Sequence, residues 1–403
     1  MERLVLLLAT TLLFILPARG QDLPVLETGS RQPMPDAWID KDTGHKVIKL
    51  TRSTGDSRSF YFHNNPFIPP SADEGDLMVF YGDVEGQTQL FTLNLKTLET
   101  AQITRHSGGM RGEIVAPQRR EVFFQSNDSV FAAHVDTRET RLVFVFPPDF
   151  QGGITTLNAD ETLLAGSYAD PVKDEIYREN PDKSDYFTLI YEAHIPHTLF
   201  TLNLETRELK KIFQEKAWLN HIQFSPTDPD LLMYDHEGPW HLVDRIWLID
   251  VKTGQHRLMH KREMEMEIAG HEFFSRDGEV IWYDLQKPRG QTFFLAGKHI
   301  HSGQLTLYEM DRDEWSIHFN ISPDQTLFAG DGGDPTQVAR AEHGEWIYLF
   351  TPDGDRLRSE KLVNMQHHGY RPLEPNVHFS PDGQWVIFRS DLDGELRIYA
   401  VEL

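Results

Sequence analysis

Four of the 19 histidines occupy similar places in a repeated pattern of the sequence. Each stands just before or at the start of a short apolar run, and the four are His221, His271, His318 and His378. A histidine titrates near neutral pH, so it can take a proton from a substrate or bind a divalent metal ion. If the repeats surround an axis, these side chains converge on one site. The alternative is that they form hydrogen bonds between neighbouring repeats.

Polar residues follow two of these histidines. The segment 236–245 combines His236, a glutamate and Arg245 in a turn before a strongly apolar run, and residues 331–334 read Asp-Gly-Gly-Asp. An arginine can bind a carboxylate through two parallel hydrogen bonds, so this turn could hold an anionic ligand. The alternative for the segment is a solvated loop without a ligand.

Two segments nearer the N-terminus are further candidates for lining the same site. Residues 58–65 precede an early predicted strand and contain His63 and Asn64, and residues 106–111 form a Gly-rich loop that ends in Arg111. The Gly-rich loop suits a flexible contact with a sugar. Ordinary surface loops have the same composition, and that alternative stays open for both.

The elements that carry these residues are predicted to be strands. A turn followed by a short β-rich apolar run recurs seven times between residues 76 and 389, and helical periodicity is nearly absent. Units of roughly 40–50 residues with several strands each are typical of propeller blades. A two-sheet sandwich is the alternative, but seven regular units are too many for it. The sequence therefore predicts an all-β fold, a seven-bladed β-propeller.

Residues 21–403 are predicted to form this propeller as a single domain. We expect the first strands after Trp38 and Val47 to share a blade with the last strand, which begins near Arg397, because ring closure removes open sheet edges. The widest gaps between the repeats, about 170–197 and 330–345, are expected to be long loops.

Composition excludes several classes of function. The chain has 62 acidic and 39 basic residues and a formal net charge of −23, which argues against non-specific binding to nucleic acid. It has no cysteine, so disulfides, thiolate metal sites, iron–sulfur clusters and cysteine nucleophiles are ruled out. Any metal site must use imidazole, carboxylate, amide or water ligands. No Gly-x-Ser-x-Gly motif is present, so a serine peptidase of that type is excluded.

The N-terminus resembles an export signal. A basic residue at position 3 precedes the apolar run Leu4–Leu16, which is shorter than the ~20 residues of a membrane-spanning helix. Small residues at positions 18 and 20 favour cleavage before Gln21, so residues 1–20 are predicted to be a signal peptide. The mature chain is then periplasmic or secreted, with no stable membrane insertion. An uncleaved anchor is the alternative.

Several runs of residues carry a resemblance to a known family. They are Trp218-Leu-Asn-His, His236-Glu-Gly-Pro, Gly270-His-Glu-Phe and Ala329-Gly-Asp-Gly-Gly-Asp-Pro, and they occur in the family's order over nearly the whole mature chain. The sequence resembles the oligogalacturonate lyases of polysaccharide lyase family 22. The resemblance implies a seven-bladed propeller that cleaves short pectic oligosaccharides by β-elimination with a divalent cation. Mn²⁺ is the first candidate, and Mg²⁺ and Ca²⁺ are alternatives.

The resemblance also implies roles for individual residues. His271 matches the family's proposed base, and Arg245 matches a substrate-binding arginine of the site. His318 matches a metal ligand. The residues expected to contact substrate are His63, Asn64, Arg111, His221 and His236.

The last blade departs from the family pattern. The family has a glutamine followed by His-x-His, whereas this chain reads Arg371-Pro-Leu-Glu-Pro-Asn-Val-His. His378 takes the place of the second histidine and Asn376 that of the first, and the glutamine has no obvious match. The implied metal ligands are therefore His318 and His378 with Asn376 or Glu374, a harder set that suits Mn²⁺, Mg²⁺ or Ca²⁺ better than Zn²⁺.

Three functions remain open on these grounds. The first is an exported, metal-dependent lyase that acts on oligogalacturonate, an anionic oligosaccharide. The second is a lyase for another uronate polymer, which the altered last blade favours. The third is a periplasmic propeller without catalytic activity that binds sugars or serves as a scaffold, since a fold does not determine a function.

Overall fold

The computed structural model describes residues 23–52, 55–71, 75–371 and 373–403. The predicted signal peptide, residues 1–20, lies outside this part of the chain. Within the described part, no helix is long and apolar enough to cross a membrane.

The described strands form seven blades around a central channel. Neighbouring strands within a blade are antiparallel, and the first strands of successive blades contact one another, so these strands line the channel. Blades and their strands are numbered here in chain order. The prediction of an all-β, seven-bladed β-propeller is confirmed.

The strands of the first three blades have the following bounds. Blade 1 contains Ser57–Arg58, Phe67–Ile68, Leu77–Val84, Gln87–Asn94 and Thr100–Gln102. Blade 2 contains Arg111–Ala116, Glu121–Ser126, Ser129–His134 and Thr140–Val145. Blade 3 contains Gly153–Leu157, Leu163–Ala169, His197–Asn203 and Leu209–Glu215.

The remaining blades have these bounds. Blade 4 contains Trp218–Phe224, Leu231–Glu237, Ile246–Asp250 and His256–Leu258. Blade 5 contains Ile268–Phe274, Val280–Gln286, Phe293–His299 and Leu305–Met310, and a short 3₁₀ helix, Arg312–Glu314, follows it. Blade 6 contains Phe319–Ile321, Phe328–Gly330, Trp346–Asp353 and Arg356–Asn364. Blade 7 contains His378–Phe379, Trp385–Ser390, Arg397–Glu402, Lys46–Lys49, Ala37–Asp40 and Val25–Leu26.

Both chain ends contribute to blade 7, as predicted. The strand Lys46–Lys49 pairs antiparallel with Arg397–Glu402, and two further N-terminal strands extend the same sheet outward. Trp38 is fully buried there, with its ring edge-on to that of Tyr399 at 6.0 Å. The ring of blades is therefore closed by hydrogen bonds between the two ends of the chain.

Blades pack face to face, which explains the almost continuous apolar runs of their second strands. In blade 5, Ile281, Tyr283 and Leu285 are completely buried and belong to a cluster with Met233 and Ile246 of blade 4. A strand that is covered on both faces excludes water from all its side chains. The recurring runs in the sequence are therefore the second strands of the blades, and the histidine motifs lie on or next to the first strands.

One predicted loop is helical. Between the second and third strands of blade 3 the chain forms two helices, α1 (Val172–Glu179) and α2 (Lys183–Glu192). Phe187 of α2 packs edge-on against Trp218 at 5.3 Å, and this contact holds α2 against the first strand of blade 4. The other wide gap is an irregular loop, as expected, since residues 331–345 contain no helix or strand.

Candidate active site

An interruption in blade 1 supplies the centre of the candidate site. The first strand of this blade is split into Ser57–Arg58 and Phe67–Ile68, which both pair with Leu77–Val84. The segment between the two pieces carries Tyr61 and His63. Because this segment leaves the sheet, its side chains are free to reach across the channel toward other blades.

In blades 4 and 5 a β-bulge directs the histidine. The strand register shifts between Asn220 and Gln223 and again between Gly270 and Phe273. His221 and His271 lie within these shifts and have positive φ angles of 45° and 52°. A bulge turns a side chain away from the regular alternation of a strand. The local backbone therefore orients both imidazoles.

Tyr61 is surrounded by imidazoles from separate blades. Its ring centroid lies 5.0 Å from those of His63 and His318 and 6.0 Å from that of His221. The centroid of His271 lies 4.9 Å from that of His318. We call these four histidines, with Tyr61, the histidine cluster. The convergence of His221, His271 and His318 agrees with the prediction that histidines at similar places in the repeats meet at one site.

His318 is fixed by a carboxylate. Its Nδ1 lies 2.8 Å from Oδ2 of Asp331, and its backbone N–H donates to Oδ1 of the same residue at 2.7 Å. The carboxylate accepts the Nδ1 proton, so Nε2 is left as an acceptor. Nε2 lies 3.2 Å from the hydroxyl oxygen of Tyr61 and 3.7 Å from Oε2 of Glu374.

His271 has the properties of a neutral base. Its Nδ1 is buried and has no hydrogen-bond partner in the described part of the chain, and Trp240 packs edge-on against the ring at 5.4 Å. Burial lowers the pKa of His271 well below its usual value, and the neighbouring charges of His318, His221 and Arg245 lower it further. A neutral imidazole with a free nitrogen can accept a proton.

Arg245 lies in a buried group of carboxylates, which we call the acid cluster. It comprises Arg245 with Asp235, Glu237 and Glu272. Nη1 of the arginine is 2.6 Å from Oε1 of Glu237, Nε is 3.0 Å from Oε2 of Glu272, and Nη2 contacts Asp235. Only 2% of the residue is exposed.

This arrangement differs from the expected role of Arg245 in direct substrate binding. Each of its three side-chain nitrogens faces a protein carboxylate, and the side chain is almost completely buried. Burial works to raise the pKa of Glu237, but the charges of Arg245 and His221 and the hydrogen bonds from Arg245 and Trp240 together outweigh burial and hold that pKa at about 2. The geometry favours a positioning role in which Arg245 holds Glu237 and Glu272 beside His221.

The implied metal ligands of blade 7 are not directed at a common point. Nδ1 and Nε2 of His378 face the backbone carbonyls of Asn376 and Asn64 at 3.1 and 3.2 Å. The side-chain oxygen of Asn376 accepts the N–H of Phe62, and its amide donates to the carbonyl of Glu374. These two residues join blade 7 to blade 1 by hydrogen bonds, which is the alternative interpretation given for the histidine pattern.

The expected metal set therefore does not fit this arrangement. Of its four members, only His318 and Glu374 face each other with side-chain ligand atoms, at 3.7 Å. A different group of side chains is close enough to share a metal ion, namely His221, Asp235 and Glu272. It is the group of three such ligands found within residues 23–52, 55–71, 75–371 and 373–403.

Three expected substrate contacts lie outside the histidine cluster. His236 faces outward in blade 4, with Nε2 3.0 Å from Oε2 of Glu215. Arg111 is exposed at the start of blade 2 and donates to the carbonyl of Gly152 at 3.4 Å. Asn64 donates to Glu113, so its amide links blades 1 and 2. For His236 the expectation of substrate binding does not fit its position, because the first strand of blade 4 lies between the strand that carries His236 and the channel.

The channel also has a cavity of about 430 Å³ toward its opposite end. It is lined by His63 and His378 and by residues of the turns that follow the first strands, including Pro226 and Arg276. The loops between second and third strands, with α1 and α2, lie at the other end. Gly238 packs against Tyr191 of α2, so the helices border the acid cluster.

Residues that sequence reasoning missed carry much of this geometry. Tyr61, Glu237 and Glu272 were not expected in the site, although Glu237 and Glu272 directly follow His236 and His271 in the quoted runs. An acid next to a motif histidine was the available signal for both. Tyr61 had no such signal, because its position depends on the interruption of a strand.

Comparison with known proteins agrees with the resemblance stated above. A family model described as oligogalacturonate lyase matches residues 34–403. An oligogalacturonate lyase of Dickeya dadantii (strain 3937) is 26% identical over 387 residues, which cover 91% of this chain and 95% of that protein. An oligogalacturonide lyase of Pectobacterium atrosepticum is 26% identical over 384 residues, with the same coverage.

Solved structures show the same fold. An oligogalacturonate lyase in complex with manganese superposes with a TM-score of 0.78 at 24% identity, covering 91% of this chain and 96% of that one. An oligogalacturonate lyase from Vibrio parahaemolyticus gives the same values. Because the family model spans nearly all of the described chain, this protein is a lyase that belongs to the oligogalacturonate lyase family.

Proposed function

We propose that this protein cleaves short oligogalacturonates by β-elimination at the histidine cluster. The observation that carries the proposal is the convergence of His221, His271 and His318 on Tyr61, at the channel end bordered by the helices. A site built from several blades presents imidazole nitrogens and a tyrosine hydroxyl to one ligand. The family to which the chain belongs makes a uronate oligosaccharide the first substrate to test.

The reaction requires three events at one sugar. The proton at C5 is removed, the bond between C4 and its oxygen breaks, and a double bond forms between C4 and C5. The oxygen that leaves then takes up a proton. Neutralising the C6 carboxylate makes the C5 proton more acidic, so a cation close to that group lowers the barrier.

His271 is the proposed base. Its neutral state and its unpartnered Nδ1 suit proton removal, since a base must be unprotonated at working pH. The Tyr61 hydroxyl, 3.2 Å from Nε2 of His318, is placed to form a hydrogen bond with the sugar. Asp331 holds His318 in the tautomer that accepts from Tyr61 or from substrate.

Arg245 does not supply the cation in this proposal, because three carboxylates already surround it. We propose that a divalent cation binds this protein, with Mn²⁺ first and Mg²⁺ or Ca²⁺ as alternatives. A relative of the same fold was solved in complex with manganese. Lys183, whose charge contributes to lowering the pKa of His271, is a second cation near the site.

Export is part of the proposal. The short apolar run Leu4–Leu16 and the small residues before Gln21 support a cleaved signal peptide and a periplasmic or secreted enzyme. N-terminal sequencing of protein recovered outside the cytoplasm should begin at Gln21. A chain that keeps residues 1–20 and stays in the cytoplasm would refute the proposal of export.

The direct test is an assay for the unsaturated product. Wild-type protein is incubated with galacturonate dimers and trimers, with and without Mn²⁺, and the ultraviolet absorbance of the new double bond is followed. Absorbance should rise only with the active protein. A parallel panel of other uronate oligomers tests the second substrate class, which the unusual bonding of Asn376 and His378 favours. Absence of product from every uronate, with metal present, would refute the proposal.

A further inference from the structure

The acid cluster has more buried negative charge than its arginine can balance. Asp235, Glu237 and Glu272 are all at least nine-tenths buried, and one guanidinium lies among them. With three carboxylates ionised, two negative charges remain. Burial of uncompensated charge is costly, so a buried group of this kind is normally completed by a further cation or by protonation.

In the described chain the ion pairs of these carboxylates are with Arg245 and with the imidazole of His221. Lys173 of α1 interacts with Asp235 and Glu237 through its charge. Its ammonium nitrogen lies 3.1 Å from Nε2 of His197 and 4.8 Å from the ring centre of Trp218. Lys173 therefore contacts a neutral imidazole and an indole rather than a carboxylate.

Two ligand atoms at the inner edge of the cluster are buried and have no hydrogen-bond partner among the described residues. They are Nδ1 of His221 and Oε1 of Glu272, and they lie 3.5 Å apart. The other nitrogen of His221, Nε2, is 3.9 Å from Oε2 of Glu237. The side chain of Glu272 is completely buried, and its second oxygen already accepts from Arg245.

The backbone holds these atoms in place. His221 sits in the β-bulge of blade 4 with a positive φ of 45°, and Glu272 lies in the equivalent bulge of blade 5. Asp235 lies directly opposite Asn220 on the second strand of blade 4. The ligand atoms of His221, Asp235 and Glu272 all fall within 4.8 Å of one another.

We propose that His221, Glu272 and Asp235 bind a divalent cation at the edge of the acid cluster. One imidazole nitrogen with carboxylate oxygens is a donor set that suits Mn²⁺. A divalent ion also matches the two excess charges, and Nδ1 of His221 and Oε1 of Glu272 are the two ligand atoms not bonded to Arg245. The site differs from the set that the family resemblance implied, namely His318, His378, Asn376 and Glu374. It does not depend on the identity of the substrate.

The competing state has no metal. Burial raises the pKa of Asp235 well above its usual value, so protonation of this carboxyl is the alternative way to remove charge. His221 would then donate its Nδ1 proton to Glu272 by a small rotation of the ring. The two states differ in whether the purified protein binds metal through His221.

Binding of Mn²⁺ to metal-free, full-length protein distinguishes them without any substrate. The affinity is measured by calorimetry and by the loss of the electron paramagnetic resonance signal of free Mn²⁺. His221→Ala should weaken binding at least tenfold, while the matched variant His378→Ala, which removes a histidine of the other set, should stay within twofold of wild type. Unchanged affinity in His221→Ala, a tenfold loss in His378→Ala or no binding by wild type would overturn the proposal.

Anomalous scattering from Mn²⁺-soaked wild-type crystals covers the case in which a variant fails to fold. The proposal predicts a peak within bonding distance of Nδ1 of His221 and Oε1 of Glu272. A peak between His318 and Glu374, or no peak, contradicts it. Lyase activity without metal at this position would overturn the cation site and leave the proposed function standing. Metal bound at this position, with no cleavage of any uronate, would support the cation site and refute the proposed function.

Discussion

The hydroxyl oxygen of Tyr61 lies 3.2 Å from Nε2 of His318, although the two residues come from blades 1 and 6. The other nitrogen of His318 is held by Asp331 at 2.8 Å. A hydrogen bond across the channel therefore connects the interrupted strand of blade 1 with the blade that carries Asp331. The ring of Tyr61 lies 6.0 Å from that of His221, and the ring of His318 lies 4.9 Å from that of His271.

Tyr61→Phe removes only this hydroxyl. We expect kcat on oligogalacturonate to fall by about 10²-fold or more, a loss typical of removing a group that transfers or shares a proton with substrate. KM should change little, because the ring stays in place. Steady-state kinetics with the folded variant measure both constants. Tyr308→Phe, on the outer strand of blade 5, is the matched control, and a normal kcat in Tyr61→Phe would argue against a role for the hydroxyl.

His271→Ala should abolish turnover and leave folding intact. The proposed base is lost, while its replacement leaves a small space beside Trp240 rather than an unpaired charge. Rates are compared by product absorbance, and folding is compared by circular dichroism and melting temperature. His301→Ala, an exposed histidine at the far end of the same blade, should keep the wild-type rate. More than a small residual rate in His271→Ala would refute the base assignment.

Lys183→Ala should raise KM for anionic oligosaccharides by about 2–10-fold with little change in kcat. Lys183 is exposed at the first position of α2, and its charge reaches His271, so it attracts substrate by long-range electrostatics. The difference from wild type should shrink as salt is added, because salt screens exposed charges. Lys210→Ala, on the outer strand of blade 3, serves as the control. A KM independent of both the substitution and salt would contradict this role.

Asp284→Asn tests the electrostatics beneath the site. Burial raises the pKa of Asp284 to about 7 in the folded protein, above the value of an exposed carboxyl. The folded state then binds more protons than the unfolded state, so this residue's contribution to stability is greatest at low pH and is lost as pH rises toward 7. Asp284→Asn has no ionisable group at this position, so its stability does not fall with pH in this way.

The free energy of unfolding of Asp284→Asn, relative to wild type, should therefore rise by about 1.4 kcal/mol per pH unit from pH 5 to 6, and less steeply toward pH 7 as the folded carboxyl begins to ionise. Urea unfolding at several pH values measures it. Asp128→Asn, which changes an exposed carboxylate, should show no such trend. A flat difference for Asp284→Asn would mean that this carboxyl is ionised throughout.

Trp38→Ala tests ring closure. Trp38 is fully buried in the N-terminal strand of blade 7, and its indole N–H donates to the hydroxyl of Thr28 at 2.8 Å. Truncation of a buried tryptophan costs about 3–5 kcal/mol of unfolding free energy. Chemical denaturation should show that loss, and limited proteolysis should cut first near the N-terminus. A loss below about 1 kcal/mol would mean that the first strands contribute little to closure.

Much of the fold was predictable because each blade repeats the same pattern. Second strands such as Val280–Gln286 are covered on both faces, so their apolar runs recur at each blade and identify the seven units. The convergence of His221 and His271 followed from their equivalent positions before those runs. Helices α1 and α2 were missed, although Phe187 and Ile190 of α2 recur at helical spacing and pack in one cluster with Trp218.

The details of the site were less predictable for a physical reason. Arg245 and His378 were assigned roles by position in the sequence, and position does not show which hydrogen bonds a side chain already makes. In the structure Arg245 is surrounded by carboxylates, and His378 is held between two backbone carbonyls. Tyr61 reaches the centre only because a strand is interrupted, an irregularity that a repeat pattern cannot reveal.

The most direct test of the account is a crystal structure of the His271→Ala variant with a bound galacturonate dimer. The account predicts that the sugar occupies the helix-bordered end of the channel, with one uronate ring within hydrogen-bond distance of the Tyr61 hydroxyl and beside the position of the missing imidazole. A dimer bound only in the cavity at the opposite end, between His63 and Arg276, would contradict it.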